Sequence, residues 1–326
     1  YFYRISDLTG LDYFVEATEL CVTGNNITTL DVSRLTALKY LRCDGLKLET
    51  LDVSKNTELE RLECENNNLT SIDLSNNKKL KYLSCQGNKL SSLDVSDNTL
   101  LTELECGSNE ITALDISKLT LLTELYCNDN QISSLDISNN LLLTKLYCNM
   151  NQIETLDITK HTALTELYCN SNLLTSLDIS KNLLLTKLYC GNNQLKTLDV
   201  TKHTALTELS CASAQLSSLD VSKNTLLTKL YCNDNQLTEL NLTANNSLIE
   251  LNCSKNTITT LDLSNKKALN KVTCTECGLK SIKLNGCTAL EHLSISKNQL
   301  TEIDITNNLL LVNFYCDYNQ LTTLDV

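Results

Sequence analysis

The sequence predicts a solenoid of short stacked turns. A parallel β-sheet should run along one face and tight turns, 3₁₀ pieces or short strands along the other, with little α-helix. Three observations predict this. Cysteine recurs every 21 residues from Cys43 to Cys274 without a slip. The residues around each cysteine alternate apolar and polar, the mark of a half-buried strand. Once a strand and its turns are allowed for, about ten residues of the unit remain, too few for a long helix.

A chain of 326 residues ordinarily suggests two or more domains. Repeats override that expectation, because each unit buries its apolar face only against its neighbours and the body grows one turn at a time. Cys43, Cys64, Cys85, Cys106, Cys127, Cys148, Cys169, Cys190, Cys211, Cys232, Cys253 and Cys274 keep the period; Cys21 precedes them by 22, and Ile295 and Cys316 take the later slots. That makes about fifteen turns. A representative turn starts Leu122-Thr-Glu-Leu-Tyr-Cys-Asn-Asp-Asn-Gln-Ile132, the leucine-rich-repeat pattern L-x-x-L-x-L-x-x-N-x-L with Cys in the third apolar place. Its second half repeats the theme as L-x-x-L-D-[VI]-S-x-N. Leu122, Leu125, Cys127, Ile132, Leu135 and Ile137 should point inward, and strands of successive turns should stack about 4.8 Å apart. The expected body is a leucine-rich-repeat solenoid, a curved right-handed superhelix with the sheet on its concave face. Residues 1–19 depart from the repeat and read as the lead-in of an N-terminal cap, leaving 20–326 as the solenoid. The last turn stops at Val326 without a polar cap, so the native chain is expected to continue or to pack this end on something.

Two polar columns belong to the scaffold. Asn recurs six places before the Asp of the second half, from Asn25 to Asn319, with exceptions at Leu46, Ala214 and Cys277. An amide both donates and accepts, so stacked Asn can satisfy the backbone of its own turn and the next. Asp recurs from Asp31 to Asp325, and neighbouring carboxylates about 5 Å apart repel by roughly 1 kcal/mol in water. Capping of the Ser or Thr two residues on should offset this; calcium bridging is the alternative.

The 16 cysteines read as small buried hydrophobes. In-register strands hold Cβ atoms nearly 5 Å apart, whereas a disulfide wants about 3.5–4.5 Å. Zinc needs converging ligands, and Cys274 and Cys277, although spaced C-x-x-C, fall in different columns. Ile295 fills a ladder slot with a residue that can neither crosslink nor ligate.

No catalytic motif or nucleophile–base pairing appears, so no enzymatic activity and no cofactor or metal is expected. His161 and His203 share one column two turns apart, roughly 10 Å, too far to share a proton or a metal. No apolar run of about 18 residues exists to cross a membrane. The first residues do not form an intact signal peptide, and any export signal is expected to lie outside this sequence. The net charge of −12 disfavours nucleic acid and anionic membranes as partners.

Function is sought in the columns facing solvent on the sheet. Three places before each Cys, the column reads Glu103 and then alternates in sign from Glu124 through Lys145, Glu166, Lys187, Glu208, Lys229 and Glu250 to Lys271. This reads as a self-neutralising ladder that holds the turns in register; a mixed-charge docking strip is the other reading. One place before, Tyr126, Tyr147, Tyr168 and Tyr189 are followed by Ser210 and Tyr231, with Tyr315 apart. Tyrosine offers large amphipathic contact area at low entropic cost, which suits protein or glycan binding. Duplication of one turn, with ring stacking that stabilises the sheet, would produce the same stripe. One place after, Asn128, Asn149 and Asn170 border the rings and offer amides. Tyr126, Tyr147, Tyr168, Tyr189, Tyr231, Asn128, Asn149 and Asn170 are therefore the candidate ligand-binding residues.

The turn Leu227-Thr-Lys-Leu-Tyr-Cys-Asn-Asp-Asn-Gln-Leu-Thr-Glu-Leu-Asn241-Leu-Thr resembles the cysteine-ladder internalins among the bacterial 21-residue leucine-rich repeats. The resemblance runs from about Leu20 to Val326. It implies a secreted or surface-anchored bacterial module that binds a host or partner protein or glycoprotein. The alternative is a structural spacer that projects other domains and has no ligand of its own.

Overall fold

The leucine two places before the ladder slot and the residue on either side of it form a strand of three residues, ending just before the slot. The computed structural model describes residue 5 and residues 8–324. The chain divides into two compact units, Tyr1–Ala163 and Leu164–Val326. In the first, a 3₁₀ turn at Leu11–Tyr13 leads to β1 (Glu19–Cys21), β2 (Tyr40–Arg42), β3 (Arg61–Glu63), β4 (Tyr82–Ser84), β5 (Glu103–Glu105), β6 (Glu124–Tyr126) and β7 (Lys145–Tyr147). In the second lie β8 (Glu166–Tyr168), β9 (Lys187–Tyr189), β10 (Glu208–Ser210), β11 (Lys229–Tyr231), β12 (Glu250–Asn252), β13 (Thr260–Asp262), β14 (Lys271–Thr273), β15 (Ser281–Lys283), β16 (His292–Ser294) and β17 (Asn313–Tyr315). Within each unit, successive repeat strands pair in parallel with partners 21 residues apart: Glu124 faces Lys145 and Glu208 faces Lys229. Each sequence column is thereby a column in space. β13 and β15 pair separately, and among the described residues they are the only two strands on the return side.

Most strands end in the same way. The second residue after the ladder slot adopts a left-handed conformation, at φ +55° in Asp129, +56° in Met150 and +68° in Gly87. A left-handed residue turns the chain out of the extended path, which is why the strands stay short. Only a glycine takes this conformation without steric cost, yet most turns place another residue there.

The inward residues of the representative turn are all buried: Leu122, Leu125, Cys127 and Ile132 fully, Leu135 and Ile137 nearly so. The asparagine column behaves as the amide inventory demands. Asn151 Nδ2 donates to Cys127 O (3.0 Å) and Cys148 O (3.1 Å), and its Oδ1 accepts from Ile132 N (3.0 Å). Cys277 imitates the donor half, its Sγ lying 3.2 Å from Cys253 O.

One ladder member is corrected. Cys21 pairs in register with Arg42, one place before the slot, and is exposed. Val22, nearly fully buried, occupies the slot itself. The spacing of 22 was the signal, because one extra residue reverses the face on which a side chain emerges. From Cys43 to Cys274 every ladder cysteine is buried, and all sixteen cysteines are free thiols. Burial pushes the Cys106, Cys148 and Cys211 thiols up to about 12, so they stay protonated and inert.

The histidine column is a second ladder of donors. Asn56 Nδ2 reaches Val32 O (2.9 Å) and Leu35 O (2.8 Å), and other turns repeat this with Asn77, Asn98, Asn140 and Asn224. His203 Nε2 lies 3.0 Å from Ile179 O, and His161 Nε2 lies 3.1 Å from Ile137 O. Lys266 Nζ donates to Leu242 O (2.7 Å) and Cys287 Sγ to Leu263 O (3.0 Å). Any side chain that can donate serves, because the carbonyl 24 residues earlier would otherwise lose a bond.

The acidic column caps the backbone. Asp136 Oδ1 accepts the Ser138 N–H at 2.9 Å, and the motif recurs from Asp31 to Asp304. Those hydrogen bonds hold the carboxyls below their usual pKa. Asp325 lies outside the described residues, as do residues 1–4, 6 and 7 of the lead-in. Among the described residues, no helix is long and apolar enough to cross a membrane.

Candidate binding face of the parallel sheet

Each three-residue strand sends its middle side chain inward and its first and third outward, so the outer face is set by the positions three before and one before the slot. The charge column forms the expected ion pairs: Lys145–Glu124 at 3.1 Å, Lys187–Glu166 at 3.2 Å, Lys229–Glu208 at 3.1 Å and Lys271–Glu250 at 2.8 Å. Glu103 faces Glu124 instead of a lysine and lies near Glu105. Burial first, then the charges of Glu124 and Glu105, raise its pKa to about 7.

The tyrosine column places Tyr126 against Tyr147 in one unit and Tyr168 against Tyr189 in the other, in register within each pair. The first pair meets edge to face, with centroids 4.8 Å apart and planes at 67°. The second stacks at 4.4 Å and 7°. All four rings and Tyr231 are half-buried. Several hydroxyls are already engaged: Tyr126 donates to Glu124 (2.5 Å), Tyr189 to Glu208 (2.5 Å) and Tyr231 to Glu250 (2.8 Å). Those three rings therefore offer chiefly apolar surface. Asn128, Asn149 and Asn170 lie beside them, all partly exposed. At the matching place of the next turn stands Gly191. A Cβ there would lie 2.5 Å from Ala212 O, so the close backbone approach excludes a larger residue.

The sequence reading missed a cluster earlier in the first unit. Arg61 stacks over the Tyr82 ring at 3.5 Å and lies 5.9 Å from that of Tyr40. Glu63, buried, accepts from Arg61 (2.5 Å), Arg42 (3.0 Å) and the Tyr40 hydroxyl (3.1 Å). Tyr82 and Ser84 donate to Glu105, and Ser84 also to Glu65. Carboxylate oxygens of Asp44, Glu63 and Glu65 lie within 4.8 Å of one another, a spacing that could hold a cation. Here Arg42, bonded to Asp44 and Glu63, and Arg61, bonded to Glu63, supply the positive charge. The signal was legible: Tyr40, Arg61 and Tyr82 fall three before successive cysteines, in the column whose charges were read only from Glu103 onward.

No protein-family model matches the chain, and no curated protein matches it by sequence. Solved structures do. The functional domain of InlJ from Listeria monocytogenes, which includes a cysteine ladder, is 40% identical; the match covers 91% of this chain and 67% of that one, with a TM-score of 0.88. The chain belongs to the cysteine-ladder internalins. A leucine-rich-repeat protein of Leptospira interrogans (23% identity, 99% of this chain, 95% of that one, TM-score 0.78) shares the internalin's fold. So does inlF of Listeria monocytogenes (24%, 93% and 88%, 0.74). His161 and His203 are committed to backbone carbonyls, and the ladder thiols from Cys43 to Cys274 are buried.

Proposed function

We propose that this internalin is an extracellular binding module, secreted or held at the bacterial surface, that recognises a protein or glycoprotein through the outer face of its parallel sheet. One observation carries the reading: tyrosine rings emerge in register as packed pairs, Tyr126 with Tyr147 and Tyr168 with Tyr189, held by neighbours that leave ring surface to solvent. Pre-packed aromatics bind at low entropic cost, because their rotamers are fixed before a partner arrives. Asn128 and Asn149 add polar rim contacts beside the first pair, and Asn170 and Tyr231 extend the face that carries the second.

The test uses the whole chain against immobilised mucins, collagens and fibronectins, each with and without enzymatic deglycosylation. Tyr126→Ala with Tyr147→Ala, and separately Tyr168→Ala with Tyr189→Ala, should weaken capture at least about 30-fold, the loss of a 2 kcal/mol hot spot. Circular dichroism should be unchanged. Capture that survives both double variants refutes the reading.

A further inference from the structure

The outer face carries a cavity that the tyrosine pairs do not touch. It lies over β14, β16 and β17 and has a volume of about 300 Å³. Its origin is a change of residue size along one column. Where five earlier turns place a tyrosine one before the slot, β14 and β16 place Thr273 and Ser294, and β17 resumes with Tyr315. Two small side chains beside a large one leave a hollow at the low end of the size of small-molecule sites, about 300–1,000 Å³.

Its lining sets polar groups among a larger share of apolar surface and is close to neutral. Lys271 borders it, but the ammonium is tied to Glu250 at 2.8 Å. His292 and Asn313 face each other across neighbouring strands, with Asn313 Nδ2 2.7 Å from His292 Nδ1. The amide donates there, so the imidazole proton sits on Nε2 as a donor. Ser294 Oγ lies 3.1 Å from Thr275 Oγ1. Tyr315 is 58% exposed, the most exposed ring of its column. An anion would find its cation already paired, and an apolar ligand would strand the hydroxyls, amide and imidazole. A neutral polyol with one apolar face satisfies all of them. Its C–H face covers the Tyr315 ring, and its hydroxyls exchange bonds with Thr273, Ser294, His292 and Asn313.

We infer that this hollow binds one neutral sugar ring, a hexopyranose unit of a glycan. The inference rests on the proposal that this face is a binding surface, but not on the tyrosine pairs. The probes are galactose, N-acetylgalactosamine, N-acetylglucosamine and mannose, with N-acetylneuraminic acid as the charged comparator, read by saturation-transfer NMR on the full chain. At least one neutral sugar should show transfer with millimolar affinity, and the charged sugar none. Ser294→Tyr restores the residue that this column carries at Tyr126, Tyr147, Tyr168, Tyr189 and Tyr231, so it fills the hollow with a side chain the repeat accommodates. It should abolish transfer at unchanged melting temperature, and Tyr315→Ala should do the same from the opposite wall. Tyr126→Ala with Tyr147→Ala should leave transfer intact. No transfer from any neutral sugar, preference for the acidic sugar, or transfer that survives both Ser294→Tyr and Tyr315→Ala overturns the inference. Sugar transfer that persists while protein capture is lost in the tyrosine-pair variants separates this site from the proposed protein-binding face.

Discussion

Lys266 is the sharpest place to test the donor-ladder reasoning. It is 1% exposed, in a column that other turns fill mostly with asparagine. Its Nζ donates to Leu242 O at 2.7 Å and to Asn245 O at 3.3 Å. One turn earlier, Asn245 makes the equivalent pair of bonds to Val221 O (3.0 Å) and Asn224 O (2.9 Å) as a neutral amide. Two charge-assisted bonds return roughly 3–6 kcal/mol, against several kcal/mol for taking the ammonium out of water. Two neutral amide bonds return about 2 kcal/mol, less about 1 kcal/mol for the amide oxygen that such an asparagine leaves buried without a partner, as Asn245 Oδ1 is. Lys266→Asn should therefore stabilise the protein by about 1 kcal/mol. An unfolding entropy of about 2.1 cal/mol/K per residue converts 1 kcal/mol into roughly 1.5 °C for cooperative melting of the whole chain, or roughly 3 °C if the second unit melts alone. Lys266→Met keeps the bulk but removes both bonds, and without an unpaired amide oxygen it should fall about 1 kcal/mol below Lys266→Asn. Both carbonyls keep one backbone donor, Asn245 N on Leu242 O and Leu248 N on Asn245 O, so the loss should not greatly exceed that. Burial lowers the Lys266 pKa. Between that lowered value and the ordinary value near 10.4, the unfolded Lys266 binds more protons, so wild type should gain on Lys266→Asn as pH rises across that alkaline window. The buried thiols, held protonated to about 12 in the fold, lower the stability of both proteins alike over the same window, so the difference between the two is what reads the lysine. Thermal and urea melts at pH 7 and pH 9.5 read both effects. A Lys266→Asn protein no more stable than wild type at pH 7, or equal to Lys266→Met, refutes the reasoning.

Three further outcomes are expected. Asn151→Leu deletes four hydrogen bonds to backbone groups of its own and the preceding turn and should cost about 3–4 kcal/mol in urea unfolding. Met150→Gly relieves a left-handed residue at φ +56° and should stabilise by about 0.5–1 kcal/mol after the extra unfolded-state entropy of glycine, in the same assay. Glu103, with its pKa raised to about 7 by burial and by Glu124 and Glu105, should favour the fold in acid. Its contribution should fall as pH rises from the unfolded value near 4.3 to about 7 and stay flat above, so Glu103→Gln should gain on wild type across that interval in melts taken from pH 4.5 to 8.

The sequence alone determined the repeat, the inward face and the chemistry of the columns. A period of 21 with strict alternation leaves one way to bury Leu122, Leu125 and Cys127 together, and a register error of one residue would expose them all. The same periodicity explained the buried asparagines, the capping aspartates and the inert thiols, and the alternating Glu and Lys could be read as ion pairs before any distance was known. Other features waited for the tertiary structure, because they depend on what neighbouring turns do to each other. A spacing of 22 looked like the same ladder, but strand pairing sent Cys21 outward and Val22 inward. The tyrosine stripe read as amphipathic contact area, but Glu124, Glu208 and Glu250 on the same or the next strand engage the hydroxyls of Tyr126, Tyr189 and Tyr231. The Tyr40–Arg61–Tyr82 cluster and the hollow beside Tyr315 arise from differences between adjacent repeats. A consensus averages such differences away, whereas stacking about 4.8 Å apart turns each of them into a contact or a gap.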